Sequence, residues 1–347
     1  MPDRKEPILI VENLKTYFEQ AEGTVKAVDG VSFDLKPDEV IGIVGETGSG
    51  KSVTVKSIMR LIYPPGRIAD GKILFKTDEF SPGNPQYVDI TKLSEEQMTR
   101  IRGKHISMVF QDPMTSLNPM FTIEDQMIET IMFHRKVDEN QAREIALEML
   151  HKVKIPDPER RLKDYPFQLS GGQRQRVVIA IALSCNPEVL IADEPTTALD
   201  VTVQAQILEL MESLQKEFHT SIIFITHDLA VIAEVANKVM VMYGGKTVEY
   251  ADVFTIFENP IHPYTNSLLN CIPRVDVKQD SLSPIPGQPP VILNAPPVCP
   301  FLPRCNFRTK RCEEELPGLV EVSPGHYVRC FEEIIEKLFV STRGGQK

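Results

Sequence analysis

The stretch GETGSGKS at positions 45–52 brings three glycines, a lysine and a serine together at a spacing suited to polyphosphate. Gly45, Gly48 and Gly50 allow backbone conformations that turn successive amides toward one anion. Glu46, Thr47 and Ser49 fill the loop between them, and Val53 follows it into a helical pattern over 53–61. Lys51 adds a point charge for the outer phosphates, and the Ser52 hydroxyl can ligate Mg²⁺. The apolar run at 40–44 ahead of the loop completes a strand–loop–helix context.

Phosphate transfer also needs carboxylates, and VLIADEP at 189–195 supplies them. Its four apolar residues predict a buried strand with Asp193 and Glu194 at the carboxyl end, where α/β sheets place their sites. Asp193 is the candidate Mg²⁺ ligand and Glu194 the candidate general base that polarises water. On its own the pair reads as an acidic loop before Pro195; a phosphate loop in the same chain reverses that preference. His227 ends a third strand pattern, IIFITHD, as a polar handle for the γ-phosphate region. Gln111 ends a fourth, ISMVFQ, and can sense the same Mg²⁺ or water.

A separate chemistry resides near the end of the chain. Cys299, Cys305, Cys312 and Cys330 are four of the six cysteines and are separated by five, six and seventeen residues. In a chain that keeps reduced thiols, such a cluster points to metal rather than to disulfides. The C-x₂-C spacing of common zinc sites and bacterial ferredoxins is missing. Spacing alone therefore ranks zinc first, an iron–sulfur cluster second and unliganded thiols close behind.

The elements that must carry these residues are legible in outline. The 347 residues have a net charge of −10, are 42% hydrophobic and 25% charged, and suit two domains or one large domain with an appendage. The acidic balance gives no support for nucleic-acid binding. No run approaches the roughly 20 apolar residues of a membrane span, and the N-terminus lacks a secretory pattern, so a soluble intracellular protein is expected. Short β-rich runs alternate with helical patterns over 8–245, the rhythm of an α/β domain with a largely parallel sheet. A helical insertion breaks that rhythm: Ala142, Ile145, Ala146, Met149, Leu150 and Val153 recur at helical spacing behind Asp138 as N-cap. Thirteen of the 27 prolines fall between positions 260 and 324. The expected organisation is a domain over 1–250 with a helical subdomain at about 112–170, then a Pro- and Cys-rich extension over 251–347. Phe331, Ile334, Ile335, Leu338 and Phe339 predict a closing amphipathic helix that docks within the chain.

The signal becomes specific at LSGGQRQR, positions 169–176. The phosphate loop, Gln111, this motif, Asp193–Glu194, an ALD ending in Asp200 and His227 follow in an order that resembles the ABC-type ATPases over about 8–250. The resemblance implies that family's α/β P-loop core with a helical subdomain. It also implies a head-to-tail dimer in which Ser170, Gly171, Gly172, Gln173 and Asp200 of one cassette face ATP held by the other. Phe18, by its spacing after Leu14, becomes the aromatic that stacks on adenine, in preference to Tyr17.

QDPMTSLNPMFTI at 111–123, ADEPTTALDVTVQAQIL at 192–208 and NPIHPYT at 259–265 are similar to the dipeptide/oligopeptide importer branch. Nickel and glutathione importers stand as close alternatives, and a soluble non-transport ABC ATPase as a distant one. The branch implies a peripheral subunit on the cytoplasmic face of the cell membrane, docked to permease subunits near positions 114–121. It further implies a second ATPase subunit, a paralogue rather than a copy, an extracytoplasmic peptide-binding protein met only indirectly, and no nucleic acid. In some members the extension carries a 4Fe-4S cluster, which moves iron–sulfur ahead of zinc for the four cysteines as a structural staple. Arg304, Arg308, Lys310, Arg311 and Arg329 would then offset thiolate charge.

Overall fold

The apolar runs that carry the candidate residues form strands buried along their whole length. Val40–Val44, Ile106–Val109, Val189–Asp193 and Ser221–Ile225 contain no exposed position. Strands covered on both faces read as continuous hydrophobic runs, which is why sequence pattern finds them. The computed structural model describes residues 6–197, 199–271, 285–290 and 293–343, the side chains of 339–343 excepted. It resolves into two units, Met1–Leu9 with Leu35–Val40 and Leu74–Ile225, and Ile10–Asp34 with Ile41–Ile73 and Thr226–Lys347.

In the first unit, Ile106–Val109, Val189–Asp193 and Ser221–Ile225 run parallel, with Val109 opposite Ala192 and Asp193 opposite Ile225. The carboxyl ends of neighbouring strands therefore lie level. The helical insertion supplies Ile123–Arg135 and Glu139–Lys152, followed by Gly171–Leu183. Each begins with a reciprocal capping box, Thr122 with Asp125, Asp138 with Gln141 and Ser170 with Gln173, which satisfies amides left over at a helix start. Ala142, Ala146, Met149 and Leu150 form the buried stripe expected from their spacing.

In the second unit, Val40–Val44 lies parallel to Lys238–Tyr243, which pairs antiparallel with Lys246–Asp252. The extension continues this sheet. His326–Val328 adds to Lys246–Asp252, with Tyr250 opposite Tyr327, and Val320–Ser323 adds to His326–Val328. Buried Glu249 anchors the join: its carboxylate accepts from the amides of Ile261 (2.7 Å) and His262 (3.0 Å) and lies 2.8 Å from His326 Nε2. A buried carboxylate is tolerated when its lone pairs are filled in this way. The closing helix Glu332–Arg343 packs Ile334 and Leu338 with Cys312, and Ile335 with Ile261 and Val328. The Phe339 side chain lies outside the described residues. Among the described residues, no helix is long and apolar enough to cross a membrane.

Candidate nucleotide site

The phosphate loop leaves its strand through glycines that no other residue could replace without strain. Gly45 has φ +150, and a methyl group on it would come within 2.2 Å of the Met242 carbonyl oxygen. Gly50 has φ +102, and a methyl there would meet the Ala27 oxygen at 2.3 Å. Gly48 differs: its φ is +80, but among the described residues nothing lies within 4 Å of where a side chain would begin. The loop is thus pressed into the protein at both ends and open in the middle.

The helix Lys51–Ile58 starts at Gly50 with no side-chain cap and no acidic residue in its first turn. It begins two residues before the periodic pattern because left-handed Gly50 sets the turn. Its leading amides and positive end suit an anion. Among the described residues the buried Ser49 hydroxyl has no hydrogen-bond partner, and the Lys51 ammonium donates to the carbonyls of Gly45 (2.7 Å) and Glu46 (3.1 Å). Ser52 and Val53 are half-buried behind it. An open glycine, an unpartnered hydroxyl, an uncapped helix and a parked cation together fit a polyphosphate.

Glu46 is held from outside the loop. Its amide donates to Tyr264 Oη at 2.9 Å, and its carboxylate receives both arms of Arg304, at 2.7 and 3.1 Å. This corrects the expectation that Arg304 offsets thiolate charge, because its guanidinium is spent on Glu46, Tyr243 and the carbonyls of Ile285 and Pro286. No local pattern could have tied residues 258 positions apart. Phe18 lies over Gly66, where a methyl would meet its ring at 2.5 Å, while Tyr17 donates its hydroxyl to Asp29 at 2.8 Å. His227 is exposed, two residues beyond Ser221–Ile225.

In the first unit, Asp193 is buried at its strand end and Glu194 follows with φ +49. A left-handed conformation is uncommon outside glycine and asparagine, and here it swings the carboxylate out of the strand direction. Glu194 Oε2 accepts from Gln111 Nε2 and from Thr197 Oγ1, both at 3.0 Å. The structure therefore brings two predicted residues together and adds Thr197, which no spacing rule had marked. Ser170 caps the helix Gly171–Leu183, and Asp200 caps Val201–Phe218 through the Val203 amide at 3.0 Å. A methyl on Gly172 would meet Val203 at 2.8 Å and one on Gly171 would meet Leu199 at 3.8 Å, so the signature loop and the Asp200 turn are neighbours. Ala198, in the ALD motif, lies outside the described residues.

Cys312 is buried and Cys299, Cys305 and Cys330 are half-buried, all as free thiols. Among the described residues, no group of three or more His, Cys, Asp or Glu side chains is arranged to hold a metal ion. Burial, with added repulsion from Cys305 and Cys312, pushes Cys299 up to about 11, and burial with repulsion from the other three pushes Cys330 up to about 12. Arg329 acts electrostatically on Cys299 and Arg308 on Cys305, whereas Arg311 stacks on Phe331, 4.2 Å from the ring centre.

Comparison with known proteins agrees with this geometry. Residues 28–197 match the ABC transporter family and residues 248–312 the oligopeptide/dipeptide transporter C-terminal region. The post-hydrolysis dimer of the ATP-binding cassette MJ0796 bound to ADP and Pi superimposes with a TM-score of 0.61 at 27% identity, covering 71% of this chain and 98% of that one. Fold and loops thus define an ATP-binding cassette ATPase. The dipeptide transport ATP-binding protein DppD of Bacillus subtilis is 50% identical over 94% of this chain and 95% of its own length. The oligopeptide transport ATP-binding protein OppD of Escherichia coli is 45% identical over 95% of each. The chain belongs to the family of dipeptide and oligopeptide transport ATP-binding proteins.

Proposed function

We propose that the protein binds and hydrolyses ATP to power import of di- and oligopeptides, as a peripheral subunit on the cytoplasmic face of the cell membrane. The observation that carries the reading is the phosphate loop itself, with its uncapped helix, orphaned Ser49 hydroxyl and parked Lys51. The residues over 45–53 would cradle the phosphates and Phe18 would stack on the base. Ser52, Gln111 and Asp193 would hold Mg²⁺, which when bound neutralises charge on the terminal phosphates. Glu194 would take the proton of the attacking water, and His227 would contact the γ-phosphate. Ser170, Gly171, Gly172, Gln173 and Asp200 would complete the site of a second cassette in a head-to-tail dimer, a paralogue in preference to a copy.

Function divides along the chain, with ATP chemistry in 1–250, its helical subdomain at about 112–170, and the extension in 251–347. The permease would dock just past Gln111, where Met114, Met120 and Phe121 are 60, 78 and 52% exposed. Large apolar side chains bared this close together are a mark of an interface. Gln111 links that surface to Glu194. The extracytoplasmic peptide-binding protein would act on this subunit only through the permease.

Cys299, Cys305, Cys312 and Cys330 would ligate a 4Fe-4S cluster, with zinc as the alternative. A metal centre would supply the positive charge that four thiolate ligands need, and its role would be to order a proline-rich segment. Co-purification of the membrane complex, followed by ATPase assay in proteoliposomes, tests the whole reading. Peptide-loaded binding protein should stimulate hydrolysis; stimulation by nickel or glutathione but not by peptide would overturn it.

A further inference from the structure

Glu46 is the second residue of the phosphate loop, yet its geometry is set by groups far from it in sequence. The Arg304 side chain is 4% exposed and lies within the extension, directly ahead of Cys305. It grips both carboxylate oxygens of Glu46 and is itself locked by Tyr243 Oη at 3.1 Å and by the carbonyls of Pro286 and Ile285 at 2.8 and 3.2 Å. Tyr264, fully buried in an aromatic cluster with Tyr243 and Phe301, receives the Glu46 amide. The Glu46 carbonyl takes Lys51 and the Ser49 amide. One loop residue is therefore fixed at its amide, carbonyl and carboxylate at once.

We propose that Arg304 is a positioning residue for ATP binding: it holds Glu46, and through Glu46 the conformation of the phosphate loop, from within the C-terminal extension. Two physical effects favour this. A loop with three glycines is costly to order, and a fork-to-fork ion pair orders it before nucleotide arrives. Glu46 also places a negative charge beside the site of a polyanion, and the guanidinium cancels it. The proposal rests on ATP binding by this loop, which wild-type titration checks independently.

The test is a double-mutant cycle on ATP affinity and steady-state kinetics with the full chain, using Arg304→Gln, Glu46→Gln and both together. Arg304→Gln should weaken ATP binding about tenfold or more, the scale of losing one arm of a buried charged pair. The loss should fall on the KM for ATP and leave kcat at saturating ATP largely intact. With Gln at position 46 the same change should cost less than about threefold, because coupled residues are non-additive. Equal losses in both backgrounds, or no loss in either, would overturn the proposal. Should Arg304→Gln fail to fold, Arg304→Lys keeps the charge, removes the fork and permits the same comparison. Linkage is reciprocal, so ATP should slow amide hydrogen exchange at Leu302 and Arg304 in the wild type and not in Glu46→Gln. Exchange that ignores ATP in the wild type would equally overturn it.

Discussion

Gln111 Nε2 lies 3.0 Å from Glu194 Oε2, joining the ends of two adjacent parallel strands. The amide donates to the carboxylate that would act as base, and the Thr197 hydroxyl donates to the same oxygen. The segment that follows Gln111 exposes Met114, Met120 and Phe121. A partner that moves this segment would also move the donor, which ties base orientation to docking without any contact between partner and nucleotide. Gln111→Ala should lower turnover roughly tenfold to a hundredfold, a range expected for a lost orienting group, beyond any loss of Mg²⁺-ATP affinity. Single-turnover hydrolysis against nucleotide titration separates the two effects.

Glu194→Gln removes the base and keeps the shape. Hydrolysis should fall by about a hundredfold or more, while ATP is retained and the closed dimer accumulates on size exclusion. Undiminished turnover would refute the assignment.

Gly50 tolerates no side chain, because its φ of +102 and the Ala27 oxygen at 2.3 Å both exclude a methyl. Gly50→Ala should cost roughly 1–3 kcal/mol of stability through backbone strain and abolish ATP binding. Differential scanning calorimetry with and without ATP reads both quantities.

His262 is fully buried, accepts the Tyr264 amide at 3.1 Å and has its pKa lowered to about 3, by burial first and then by Arg329. Glu249 accepts the His262 backbone amide rather than facing the ring as a partner. A proton therefore binds the unfolded chain but not the folded one between about pH 6.5 and 3. Stability from this group is complete above about pH 6.5 and declines by roughly 1.4 kcal/mol per unit as pH falls through that window. His262→Asn keeps an acceptor for the Tyr264 amide and removes the proton. Its melting temperature should fall less between pH 7.5 and 5 than the wild type's, and an unchanged slope would exclude His262 as the source.

The four cysteines predict a brown protein absorbing near 400 nm after anaerobic purification, with the colour lost in Cys312→Ala. Stoichiometric zinc without iron would replace the cluster by the alternative metal.

By itself the sequence determined whatever is encoded over a few residues. The phosphate loop, the two-sided strands and the cap at Asp138 all follow from spacing, because helix and strand periods repeat within one or two turns. Phe18, Asp193 and His227 are expectations from order along the chain, and the comparisons agree on the family that this order implies. Tertiary structure alone decided which side chains meet. It set Arg304 on Glu46 instead of on the thiolates, turned Glu194 left-handed toward Gln111, and satisfied Glu249 with partners from two separate segments. A guanidinium, a carboxylate or an amide has several possible partners in any sequence. Burial leaves each of them only the partner that the folded chain brings within hydrogen-bonding distance. The concentration of prolines and cysteines thus marks more than a separate extension, since the arginine among them reaches back to Glu46 in the phosphate loop.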